Sequence, residues 1–174
     1  IDLDLMLVES VLESEKVKIE YLITDANSEY STKKIEELKY SHNIKNIISR
    51  EKFHEFTEHK PENLHYESIE KFRESQLNSE YYQSRFSDDY SLKQYRYFNA
   101  LSFWIDIFSN ENISAIILEG RQHGANYDGL ALDVAKSYGV PAFIFESYMI
   151  RHSIDGMKSV RAVLDYITNK RIEL

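Results

Sequence analysis

Between Glu119 and Asp128 the chain gathers Glu119, Arg121, His123, Asn126 and Asp128, all able to do acid–base or hydrogen-bond chemistry. A histidine among carboxylates suits general base catalysis, because its ordinary pKa lies close to neutrality. His123, Glu119 and Asp128 are therefore the candidate catalytic groups, with Arg121 and Asn126 as ligand-binding neighbours. Asp128 has a second reading as a helix N-cap, a position that aspartate favours. Glu146, after the next apolar segment, and Arg151, in Arg151-His152-Ser153, are expected on the same rim. Asp25 closes an earlier apolar segment, where it can bind a sugar hydroxyl or start a turn. Two acids, an arginine and a histidine on one rim suit a polyhydroxylated or phosphorylated small molecule.

The elements that position this rim read as a β-loop-α-β unit. Ile113–Leu118 is an uninterrupted apolar run, the pattern of a strand buried on both faces. Gly129–Tyr138 is a short helix, stopped by Gly139 and then by Pro141. Ala142–Phe145 is the second strand. Strands joined by a helix imply a parallel pair with a right-handed crossover, and parallel sheets bind ligands at the carboxyl ends of their strands.

Upstream, Leu3–Ser14 reads as a helix with Leu5, Val8 and Leu12 on one face. Val17–Thr24 reads as a strand, and Ser31 can cap a helix to about His42 with Ile35 and Leu38 inward. Asn46–Ser49 is a short strand. From Glu51 to about Asp89 the chain turns polar, with a helix expected over Tyr66–Tyr82 through Ile69, Phe72 and Leu77. Ser91 and Gln94 fit a capping box. It opens a helix whose stripe is Phe98, Leu101, Ile105 and Phe108, with Trp104 beside it. Gly156–Lys170 is a last helix. The expected fold is α/β: a Rossmann-like three-layer α/β/α arrangement with a mostly parallel sheet. It is one domain over 1–174, or a fragment of a larger protein, with 51–90 as a helical insertion.

Composition narrows the classes. A net charge of −8 over 174 residues argues against nonspecific nucleic-acid binding. No apolar run approaches the roughly 20 residues that span a bilayer. The absence of cysteine removes disulfide, thiolate and cysteine–zinc chemistry. Together these suggest a cytoplasmic protein. The histidines lack HExxH spacing, so no metal is expected, and no GxGxxG or GxxxxGK[ST] loop points to a nucleotide cofactor. No GxSxG elbow occurs. The aromatic run Glu80–Tyr90 reads either as a sugar platform or as packing.

From about Arg85 to Tyr148 the chain resembles the amino-terminal domain of bacterial capsule and surface-polysaccharide glycosyltransferases of GT-B-like architecture. The resemblance rests on Arg85-Phe-Ser-Asp-Asp-Tyr90, the aromatic helix with Phe103-Trp104, and the strand ending in Glu119. The histidine-containing loop, Leu132-Asp-Val-Ala135 and Gly139-Val-Pro141 complete it. It implies an acceptor-side domain without cofactor, in which His123, Glu119 or Asp128 activates an acceptor hydroxyl. The nucleotide-sugar would be held by a second domain, and a homo-oligomer stays open. The alternative is a noncatalytic α/β module that binds a ligand or partner. A flavodoxin-like regulatory domain is a third reading, weakened by the lack of an acidic cluster with lysine at the strand ends.

Overall fold

The computed structural model describes residues 18–24, 29–58, 64–119 and 125–145, together with Val8 and Leu12. They form a mixture of helices and short parallel strand pairs. The chain divides into two compact units, 1–52 with 144–174, and 53–143.

The first unit contains β1 (Tyr21–Thr24), α1 (Glu29–His42) and β2 (Asn46–Ser49). β1 and β2 pair in parallel, from Tyr21 opposite Asn46 to Thr24 opposite Ser49. α1 turns Ile35 and Leu38 inward, as their spacing predicts. It begins at Glu29, ahead of the expected cap, so Ser31 is buried within the helix. Asn43, with φ of 53°, follows its last residue in the left-handed conformation that commonly closes helices. β1 starts at Tyr21, four residues later than the apolar pattern suggests. Val8 and Leu12 are helical and join Leu22, Ile35, Leu38 and Ile44 in one aliphatic core. The rest of the Leu3–Ser14 helix, and all of Gly156–Lys170, lie outside the described residues.

The second unit holds α2 (Phe53–Phe56), α3 (Tyr66–Lys71), α4 (Arg73–Gln83), α5 (Tyr90–Asn110), β3 (Ile116–Glu119) and α6 (Gly129–Ser137). β4 (Ala142–Phe145) pairs with β3. α4, α5 and α6 pack against one another, and α2 packs on α5. The expected helix over Tyr66–Tyr82 is interrupted at Phe72, whose φ of −107° and ψ of 23° leave the helical region. The buried Tyr97 hydroxyl donates to the Phe72 carbonyl at 2.7 Å and holds this break. Phe72 points inward, but Leu77 is 61% exposed, contrary to the apolar reading. The buried face of α4 is instead Ser75, Ser79 and Gln83.

α5 is capped by Asp89, whose carboxylate accepts the Leu92 N–H at 3.0 Å. Ser91 therefore lies inside the first turn, and the Gln94 amide donates to the Tyr90 hydroxyl rather than back to a cap. The inward stripe is rotated from the expected one: Tyr97, Ala100, Leu101, Trp104, Ile107 and Phe108 are buried, whereas Phe98 and Ile105 are half-buried. β3 begins three residues into its apolar run, and Ile116–Leu118 are half-buried rather than enclosed on both sides.

α6 ends as its sequence predicts. Gly139 has φ of 72°, where a Cβ is strained. The Val140 N–H reaches the Ala135 carbonyl at 2.9 Å and the Gly139 N–H reaches Lys136 at 3.1 Å. This crossed pair is a Schellman closure. The next residue, Pro141, accepts the Ile116 N–H at 3.0 Å, so the helix end leads directly into β3–β4 pairing.

Candidate functional site

The site predicted from sequence is the connection between β3 and α6. Glu119 is the last residue of β3. Arg121 and His123 lie outside the described residues, as do Asp25, Glu146 and Arg151. The connection is described again from Ala125, where a tight turn leads into α6. The Ala125 carbonyl accepts both the Asp128 N–H at 3.3 Å and the Leu130 N–H at 3.2 Å. The Asp128 carboxylate accepts the Gly129 N–H and caps α6. Its structural reading is thereby realised: the carboxylate satisfies a free N–H of the first helical turn.

Asn126, expected on a ligand-facing rim, is only 2% exposed. Its backbone carbonyl accepts the Trp104 indole N–H at 2.7 Å. Its side-chain oxygen accepts the Ser79 hydroxyl, which in turn accepts the Gln83 amide at 3.0 Å. Asn126 therefore fastens the turn onto α4 and α5. Around it, Trp104 stacks on Phe53 at 6.0 Å and on Phe108 at 5.9 Å, and Tyr127 meets the Phe53 ring edge-on at 6.0 Å. An indole in such packing is stable when its N–H has a partner, and the Asn126 carbonyl supplies one.

The helices beneath the turn meet through a polar seam. The Ser75 hydroxyl donates to Asp133 on α6 at 2.6 Å. The buried Lys93 ammonium donates to the Ser84 hydroxyl at 2.9 Å. Ser84 closes α4, so the cation sits where the helix dipole favours it. Burial first, then the charges of Asp133 and Glu80, holds the Tyr97 phenol well above its ordinary range, so it remains a neutral donor to Phe72. Among the described residues, four side chains of this unit retain buried atoms without a hydrogen-bond partner: His54 Nδ1, Gln83 Oε1, Asn126 Nδ2 and both amide atoms of Asn99. Each such atom costs about 1–3 kcal/mol if nothing satisfies it.

On the α2 side of α5, the Nδ1 of His54 is buried and unpartnered. Burial, aided by the Arg96 guanidinium, pushes this imidazole down to about 4. His54 is thus neutral at pH 7, alongside the aromatic pair Phe53–Phe103 at 5.8 Å.

Of the predicted site residues, the structure brings Asn126 and Asp128 together at the start of α6. Ser79, Gln83, Tyr97, Asn99 and Asp133 escaped the sequence reading. The available signal was the spacing of Ser75, Ser79 and Gln83, a helical stripe made of polar residues. Among the described residues no group of three His, Asp or Glu side chains lies together to hold a metal ion, and no helix is long and apolar enough to cross a membrane. No family model, no curated protein and no solved structure matches this chain.

Proposed function

We propose that this chain is the acceptor-side domain of a glycosyltransferase of bacterial surface-polysaccharide synthesis, with a three-layer Rossmann-like fold. The observation that carries the reading is the β3-loop-α6-β4 unit. Its loop leaves a strand at Glu119 and re-enters a helix through a turn fixed by Trp104, Ser79 and Asp128. Parallel strand ends of this kind are where α/β proteins hold ligands. The Ala125–Asp128 turn is itself held in place by these bonds, and a fixed framework is what positioning a reacting hydroxyl requires. In this proposal His123, Glu119 or Asp128 takes the acceptor proton, with Arg121 binding beside them and the buried Asn126 holding the turn in place. The capping bond of Asp128 occupies part of its carboxylate, which favours His123 or Glu119 as the base. The nucleotide-sugar is held elsewhere, by a second domain or a partner, and no metal takes part.

Saturation-transfer NMR of the chain against a panel of sugars, nucleotides and nucleotide-sugars tests the reading. Signals from sugars that weaken in His123→Ala are expected. Nucleotide binding without sugar binding sinks it. A noncatalytic partner-binding module is favoured by one observation: Leu77, Tyr81 and Phe86 are exposed while Ser75 and Ser79 are buried. Binding of neither ligand class in the NMR panel would turn the choice toward that module.

A further inference from the structure

α4 is amphipathic in the reverse of the usual sense. Its buried face is Ser75, Ser79 and Gln83, whereas Leu77 and Tyr81, one turn apart, are 61% and 75% exposed. Side chains at this spacing lie one above the other, so the two form one outward apolar strip. Exposed Glu74 stands one turn before Leu77, and exposed Arg85 one turn after Tyr81. The winding carries on to Arg85: the Ser84 N–H reaches the Glu80 carbonyl at 3.0 Å and the Arg85 N–H reaches Tyr82 at 3.2 Å. The Arg85 guanidinium rests 5.5 Å from the centre of the Tyr82 ring, and a stacked guanidinium keeps its N–H edges for a carboxylate. No ion pair joins Glu74 or Arg85 to another described residue.

The order acid, apolar pair, base makes this strip the complement of its own reverse. Leu77 and Tyr81 flank position 79 equally, and Glu74 and Arg85 lie nearly equidistant beyond them. We infer that the outward face of α4 pairs antiparallel with the same face of a second copy of this chain. Across a two-fold axis opposite position 79, Leu77 meets the partner's Tyr81 and Glu74 meets the partner's Arg85. Each contact occurs twice, as a closed two-fold interface requires. A parallel arrangement would instead set Glu74 against the partner's Glu74. One helix face supplies on the order of 500 Å² per copy, the low end for a specific interface. The net charge of −8 makes two copies repel at a distance, though salt screens this beyond about 10 Å at 0.1 M. The pair is therefore weak and concentration-dependent. It holds with either reading of function, since sugar binding and self-association are measured separately.

Sedimentation velocity of the intact chain over a concentration series tests the pairing. The weight-average mass is expected to rise from one chain toward two, and a single-chain mass throughout overturns the inference. Leu77→Glu, at an exposed position, should keep the native circular dichroism and weaken association about tenfold or more. Glu74→Arg and Arg85→Glu each set like charges together and should weaken it severalfold. The double reversal should restore it, because each ion pair joins one copy to the other. Association that Leu77→Glu leaves unchanged places the dimer on another surface and overturns the inference. Single reversals that the double reversal does not rescue overturn it as well.

Discussion

The two units are built on different physics. The first is held by aliphatic side chains, with Val8, Leu12, Leu22, Ile35, Leu38 and Ile44 in one cluster. The second surrounds Trp104 and Phe53 with rings but also buries Ser75, Ser79, Gln83, Lys93, Asn99 and Asn126. Aliphatic burial is nondirectional and roughly proportional to area. Buried hydrogen bonds are directional, and they lose heavily when one partner goes. The first unit should therefore tolerate changes of shape that keep volume. The second should react to the loss of single atoms.

The largest effect is expected at Trp104. Trp104→Ala removes a buried ring and leaves the Asn126 carbonyl without its donor, and should destabilise the fold by about 3–5 kcal/mol. Urea unfolding followed by circular dichroism measures this. Hydrogen exchange should then show protection falling in α4–α6 and persisting in α1; equal loss in both would break the contrast between the units. In the aliphatic unit, Leu38→Ala should cost about 2–5 kcal/mol, and Leu38→Met less than about 1.5 kcal/mol.

A smaller but more discriminating effect is expected from Ser79. Ser79→Ala leaves the Asn126 oxygen and the Gln83 amide without a shared partner and should cost about 1–3 kcal/mol. Combined with Asn126→Ala, the loss should fall well short of the sum, because the two side chains share one bond. Additive losses in urea melts would show that the seam is not a coupled circuit.

His54 gives a pH-dependent probe of the second unit. Its folded-state value, pushed down to about 4, lies below the ordinary value of 6.5. Protonation therefore favours the unfolded chain. Stability from this group is complete above about pH 6.5 and declines as the pH falls toward 4. His54→Gln should flatten that part of the stability–pH curve. An unchanged slope would place the acid sensitivity at other groups.

What the sequence revealed follows the same division. Ile35 and Leu38, the exact limits of β2, and the Gly139 stop were legible because they rest on apolar periodicity and glycine geometry. The face of α5 was misjudged, since Tyr97 reads as polar although its ring is buried and its hydroxyl is satisfied by Phe72. The face of α4 was inverted for a related reason: a rule keyed to apolar side chains places Leu77 inside and cannot see serines buried by long-range partners. Ser75 and Asp133 are 58 positions apart, as are no two residues that a local window compares. The cap of α5 was displaced because Asp89 and Ser91 both suit the role, and only geometry selects between them. Asp128 was weighed correctly as a cap, whereas the burial of Asn126 depended on Ser79 and Trp104, both distant in sequence.

The closure of α6 also limits how the chain can change length. Between Ala135 and Pro141 the N–H groups of Tyr138, Gly139 and Val140 are committed to the helix end, and the Pro141 carbonyl to Ile116 of β3. One added residue here would shift β4 by one position, and a strand so shifted turns each side chain to the opposite face. An insertion within residues 135–141 of this chain should therefore not be tolerated, making this segment a fixed ruler between helix and strand.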